Sequence, residues 1–137
     1  MNSFYNEILT DHNMHPVHKH ELSACTCSKD GINPTCGDEI TLNLKIDDGV
    51  ITDGSFTGSG CAVSQASADI MLDLVIGKSV DEAKRLRELF MKMIRGECGE
   101  EELEELEEAG ALADISHMPA RVKCALLGWR TLGEMVE

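Results

Sequence analysis

From Glu39 to Asp47 apolar and polar residues alternate one for one, with Ile40, Leu42, Leu44 and Ile46 on one side. That period predicts a half-buried strand. Asp47-Asp48-Gly49 is a turn signal, so Val50–Phe56 is expected to return as the antiparallel partner strand. The period then lengthens. After Gly58-Ser59-Gly60-Cys61 a helix is expected through about Val75, stopped by Gly77. Its first turns hold almost only small residues, which implies a close neighbour. Val80, Ala83, Leu86, Leu89, Phe90, Met93 and Ile94 predict a helix over 79–95, capped by Ser79 and ended by Gly96. Val122, Leu126, Trp129, Leu132 and Val136 predict a last helix over about 120–136, with Pro119 at its first turn. A helix over 3–13, capped by Ser3 and carrying Phe4, Ile8 and Leu9, precedes Pro16.

Between these elements the signal is weaker. Residues 21–35 read as an irregular loop, with room for a short extra strand in 22–32. Glu100–Glu108 is a short, very acidic helix whose expected role is a solvated face. Ala109–Ile115 reads as an apolar connector. His12, His15, His18 and His20 crowd one segment; they read as a polar loop with solvated imidazoles in preference to a second metal site.

At 137 residues and 42% apolar composition the chain suits one domain with a real core, built from aliphatic residues because aromatics are only 4%. No apolar run approaches a membrane span, and Met1–Tyr5 lacks the form of a signal peptide. The formal net charge of −13 disfavours nucleic acid as a partner. Six cysteines with no export signal point to a cytoplasmic protein that uses them for metal or sulfur chemistry. A disulfide within Cys25-Thr26-Cys27 would be strained, so these two read as exposed auxiliary thiols. Cys98 has no evident ligand partner.

The candidate site starts at Asn33-Pro34-Thr35-Cys36-Gly37-Asp38. On extended backbone Cys36 and Asp38 share a face, and zinc accepts both donor types. Cys61, near a helix N-terminus, is placed where free N–H groups and the helix dipole favour a thiolate. Cys124 falls early in the last helix. Three thiolates and one carboxylate match a four-coordinate zinc site, and equally a site that assembles an iron–sulfur cluster. Arg121 and Lys123 are placed to offset the negative charge. His117 is a competing ligand, read here as a helix-entry residue.

The motifs Asn33-Pro34-x-Cys36-Gly37-Asp38, Gly58-x-Gly60-Cys61-Ala62-x-Ser64-x-Ala66-Ser67 and Arg121-x-Lys123-Cys124-Ala125-x-Leu127-x-Trp129 resemble the SufU branch of the IscU/NifU-like family. Asp11-His12-x-x-x-Pro16-x-x-Lys19 resembles that family's opening helix and loop. The likeness covers nearly the whole chain, read as one domain over 1–137. The acidic stretch at about 96–116 resembles the insertion that separates SufU-type from IscU-type proteins. Lys123 stands where IscU-type proteins carry a histidine, and Cys25, Cys27 and Cys98 match no family motif. The resemblance implies an α+β sandwich with a small antiparallel sheet and helices packed on it. It implies zinc held by Cys36, Asp38, Cys61 and Cys124, and Cys36 as acceptor of persulfide sulfur from a SufS-like cysteine desulfurase. Arg121 would support the site from behind. Two alternatives stay open: a scaffold on which Cys36, Cys61 and Cys124 hold a transient iron–sulfur cluster, or iron, for delivery to acceptor proteins, and a structural zinc module for protein contacts.

Overall fold

The computed structural model describes residues 3–34 and 37–136, and the side chains from residue 7 on. Phe4 and the expected Ser3 cap therefore fall outside the described side chains, and Cys36 falls outside the described residues. Three strands, β1 (Cys27–Asn33), β2 (Asp38–Asp47) and β3 (Val50–Ser59), form an antiparallel sheet in the order β1-β2-β3. The helices are α1 (Ser3–Met14), α2 (Ala62–Val75), α3 (Val80–Ile94), α4 (Glu100–Glu105) and α5 (Pro119–Met135), with a 3-10 helix over Glu107–His117. This is the expected α+β class. No described helix is long and apolar enough to cross a membrane.

The alternation in β2 does what its period demands. Ile40, Leu42 and Leu44 are buried and join Ile51 and Phe56 of β3 in the core. α2 and α5 pack against the sheet and against each other. The small residues of α2 have their close neighbour there: a Cβ added to Gly128 of α5 would lie 3.4 Å from the Ala68 backbone. Ser67 donates to the Ala125 carbonyl at 2.7 Å across the same seam. Ser79 caps α3 by accepting from the Glu82 N–H at 3.1 Å, and Pro119 opens α5.

One open reading is decided and two expectations are corrected. The segment 21–35, read as an irregular loop with room for a short strand in 22–32, does hold such a strand: β1 pairs with β2 from Cys27↔Leu44 to Asn33↔Asp38. Its sequence, CSKDGIN, lacks strand propensity; the neighbouring strand decides its conformation. The connector at 109–115 is part of the 3-10 helix, and Ala109, Leu112 and Ile115 are fully buried there. The histidines are not all solvated. His15 and His20 are exposed, but His12 is 6% exposed and its Nδ1 lies 2.7 Å from Asp69 Oδ2 of α2. Its Nε2 lies 3.3 Å from Glu108 Oε2. Burial alone would lower the His12 pKa; the hydrogen bonds to Asp69 and Glu108, and their charge, outweigh it and raise it above the ordinary histidine value. His18 is drawn in as well, its Nε2 2.6 Å from Asp73 Oδ1.

The acidic helix α4 buries none of its residues, as expected for a solvated face. It is tied to α3 by Lys92–Glu102 at 2.7 Å and Arg85–Glu105 at 3.0 Å. Exposed pairs of this kind contribute little individually; Leu106, just after the helix, supplies the buried anchor.

Candidate metal centre

Asp38 is the first residue of β2, Cys61 is the N-cap of α2, and Cys124 lies in the second turn of α5. Three element ends thus meet at one end of the sheet, where its central strand begins. One ligand atom from each of the three residues lies within 4.8 Å of the other two. The Cys61 N–H donates to Asp38 Oδ1 at 2.8 Å, and Cys61 Sγ lies 3.9 Å from Asp38 Oδ2. A tetrahedral zinc ion separates its sulfur and oxygen ligands by ~3.5 Å and two sulfurs by ~3.8 Å, from bond lengths near 2.0 and 2.3 Å. The donors fit such an ion in type, and the Cys61–Asp38 separation of 3.9 Å comes within a few tenths of an ångström of it in spacing.

The surroundings favour a cation. Asp38 and Cys124 are almost fully buried, and Cys61 is half-buried. Burial pushes the Cys124 thiol up, and hydrogen bonding to Cys61 and Asp38 together with their charge pushes it further. Three acids packed this closely cannot all ionise without a compensating positive charge.

The surrounding frame is held by residues with no separate role in the sequence reading. Asn33, at the end of β1, donates through Nδ2 to the Lys123 carbonyl at 3.0 Å and accepts at Oδ1 from Arg130 Nη2 at 2.9 Å. It therefore fixes the turn before Asp38 to the helix that carries Cys124. Arg130 gave no signal, being one cation on an amphipathic helix. Ser64 donates to the Cys61 carbonyl at 3.0 Å. Gly60 is required by close approach: a Cβ there would collide with the Asp38 carboxylate and the Ser64 hydroxyl. Gly60→Ala is expected to displace the carboxylate and lower metal affinity by about the 10–100-fold typical of losing an orienting partner. A competition titration with a chromophoric zinc chelator, run on wild type and variant, measures it.

The other sequence candidates are placed as follows. Arg121 and Lys123 are exposed in the early turns of α5, and Arg121 stands three residues before Cys124. His117 is exposed in the last turn of the 3-10 helix. Cys25, Cys27, Cys61, Cys98 and Cys124 are all free of disulfides. Cys25 and Cys27 are half-buried. Cys27 pairs with Leu44, six residues along β2 from Asp38, or ~20 Å at the usual strand rise. Cys98 is half-buried, donates to the Leu89 carbonyl at 3.4 Å, and has its thiol pKa raised by burial.

This fold, with a thiol–carboxylate cluster at one end of its sheet, defines a protein class. The chain belongs to the NifU-like N terminal domain family, whose pattern matches residues 4–125. Among its relatives, it is 43% identical to the iron-sulfur cluster assembly scaffold protein IscU of Thermotoga maritima, over 97% of this chain and 92% of that one. It is 35% identical to the zinc-dependent sulfurtransferase SufU of Bacillus subtilis, over 96% of this chain and 88% of that one. The crystal structure of FiSufU from Fervidobacterium islandicum AW-1 superposes with a TM-score of 0.90 at 33% identity, covering 98% of this chain and 97% of that one. The chain is thus a member of the IscU/SufU group of iron–sulfur cluster assembly proteins.

Proposed function

We propose that this chain is a zinc-dependent sulfur acceptor, taking persulfide sulfur from a SufS-like cysteine desulfurase for iron–sulfur cluster assembly. The observation that carries the reading is the convergence of Asp38, Cys61 and Cys124 within 4.8 Å, a three-donor set that Cys36 would complete. The relative named as a zinc-dependent sulfurtransferase supports the same choice.

Zinc, when bound by Cys36, Asp38, Cys61 and Cys124, keeps the thiols deprotonated at neutral pH and blunts their nucleophilicity until one is released. The chain's own residues do the rest. Asp38, Cys61 and Cys124 hold three positions on rigid element ends. Cys36 follows Pro34 and precedes Gly37, whose φ of 72° and N–H bond to the Asn33 carbonyl at 3.0 Å define a turn. The Cys36 thiolate attacks the terminal sulfur of the enzyme's persulfide. The enzyme's S–S bond breaks, its cysteine leaves as a thiolate, and a new S–S bond forms on Cys36; sulfur moves with no net oxidation. Arg121, an exposed cation near Cys124, would steer the anionic persulfide.

A second reading is a cluster scaffold, favoured by the name of the Thermotoga maritima relative. Metal and acid-labile sulfide analysis of anaerobically purified protein, with a visible spectrum, separates the two. The expected result is about one zinc per chain and no colour, the stoichiometry of a closed four-ligand site. Iron and sulfide in matching amounts, with thiolate-to-iron absorption, would establish the scaffold instead. A colourless zinc protein that accepts no sulfur from a desulfurase would leave only a structural zinc module.

A further inference from the structure

The buried histidine on α1 faces a second group of ligand-type side chains. His12 Nδ1 lies 2.7 Å from Asp69 Oδ2, and the His18 backbone N–H donates to Asp69 Oδ1 at 2.8 Å. His18 Nε2 lies 2.6 Å from Asp73 Oδ1, and His12 Nε2 lies 3.3 Å from Glu108 Oε2. One ligand atom each from His12, Asp69 and Asp73 lies within 4.8 Å of the other two. Asp69 is eight residues from Cys61, or ~12 Å along the helix, so this cluster is separate from the thiolate centre.

We propose that His12, Asp69 and Asp73 form a second site, for a first-row divalent cation bound through imidazole and carboxylate donors.

The donors come from α1 and α2, with Glu108 and His18 hydrogen-bonded to His12 and Asp73 around them, so the fold assembles them from distant sequence. Asp69 is fully buried, and such a carboxylate needs a close positive or hydrogen-bonding partner. The protein's net charge of −13 attracts cations to it. Nitrogen and oxygen donors without sulfur suit iron(II), cobalt(II), manganese(II) or zinc and disfavour soft ions. The outer side is open: the Asp73 and Glu108 side chains are 41% and 57% exposed. They also border a cavity of about 40 Å³, enough for a water ligand.

The test uses the full-length chain, first loaded with one equivalent of zinc to occupy the thiolate centre, then titrated with cobalt(II). The expected result is one further equivalent bound, with weak visible bands and no sulfur-to-cobalt charge transfer. His12→Gln and Asp73→Asn should each lower cobalt affinity at least tenfold. Asp73 is surface-facing, so its variant keeps the fold even where His12→Gln does not; circular dichroism checks both. Absence of a second equivalent would overturn the proposal, leaving the cluster as a proton-held clasp between α1 and α2. Cobalt binding that Asp73→Asn leaves unchanged would overturn it too, placing the ion elsewhere.

Discussion

A Cys36→Ser variant should accept no measurable sulfur from a cysteine desulfurase, a loss of ~100-fold or more, because a serine hydroxyl is neither ionised near neutrality nor nucleophilic toward sulfur. The measurement is transfer of labelled persulfide sulfur from enzyme to this chain, read after non-reducing separation. Cys25 and Cys27 should not rescue it. Cys27 opens β1 and Cys25 lies two residues before it, at the end opposite Asn33, which pairs with Asp38 of the candidate site. A thiol ~20 Å away along a rigid strand cannot share an attack geometry that needs near-contact of sulfur atoms. Sulfur retained on the Cys36→Ser variant would mean that a different thiol is the acceptor and would sink the proposed mechanism. Retained zinc with lost transfer would place the defect in the chemistry and not in the fold.

Trp129→Ala should cost about 3–5 kcal/mol of stability, the range for deleting a large buried aromatic. For a domain of this size that is a fall of roughly 10–20 °C in Tm. Trp129 is fully buried in α5 and stacks on Phe90 of α3, ring centroids 4.2 Å apart and planes within 8°. With only 4% aromatic residues, the chain has few side chains able to fill that volume. The Trp129 Nε1–H is buried with no hydrogen-bond partner among the described residues. Trp129→Phe therefore removes an unpaired donor as well as part of a ring, and should cost clearly less than the alanine change. Thermal and urea denaturation followed by circular dichroism measures both. Equal losses for the two variants would show that the indole is satisfied in solution by a partner such as water.

Sequence and structure agree most closely where burial is periodic. Ile40, Leu42 and Leu44 alternate because one face of β2 is core, and Ala83, Leu86, Phe90, Met93 and Ile94 repeat because one face of α3 is. Local stops were legible for the same reason: Gly77, Gly96 and Pro119 act on their own backbone whatever surrounds them. All four proposed thiolate-centre residues were read from the sequence as chemistry, and the fold brings three of them, Asp38, Cys61 and Cys124, together.

What local pattern could not supply is whatever a distant partner decides. β1 is a strand because β2 offers it a ladder, although Lys29, Asp30 and Gly31 would not choose one. His12 resembles its solvated neighbours until the fold sets Asp69 beside it, 57 residues away. Asn33 and Arg130 are ordinary polar residues until they meet across 97 positions. The sequence by itself determined β2, β3 and the long helices with their buried faces, and it named a candidate thiol–carboxylate donor set, because these follow from periodicity and side-chain chemistry. Only the tertiary structure decided which polar groups are buried together, because a polar group removed from water must find its partner in space, and the chain order does not say where that partner lies.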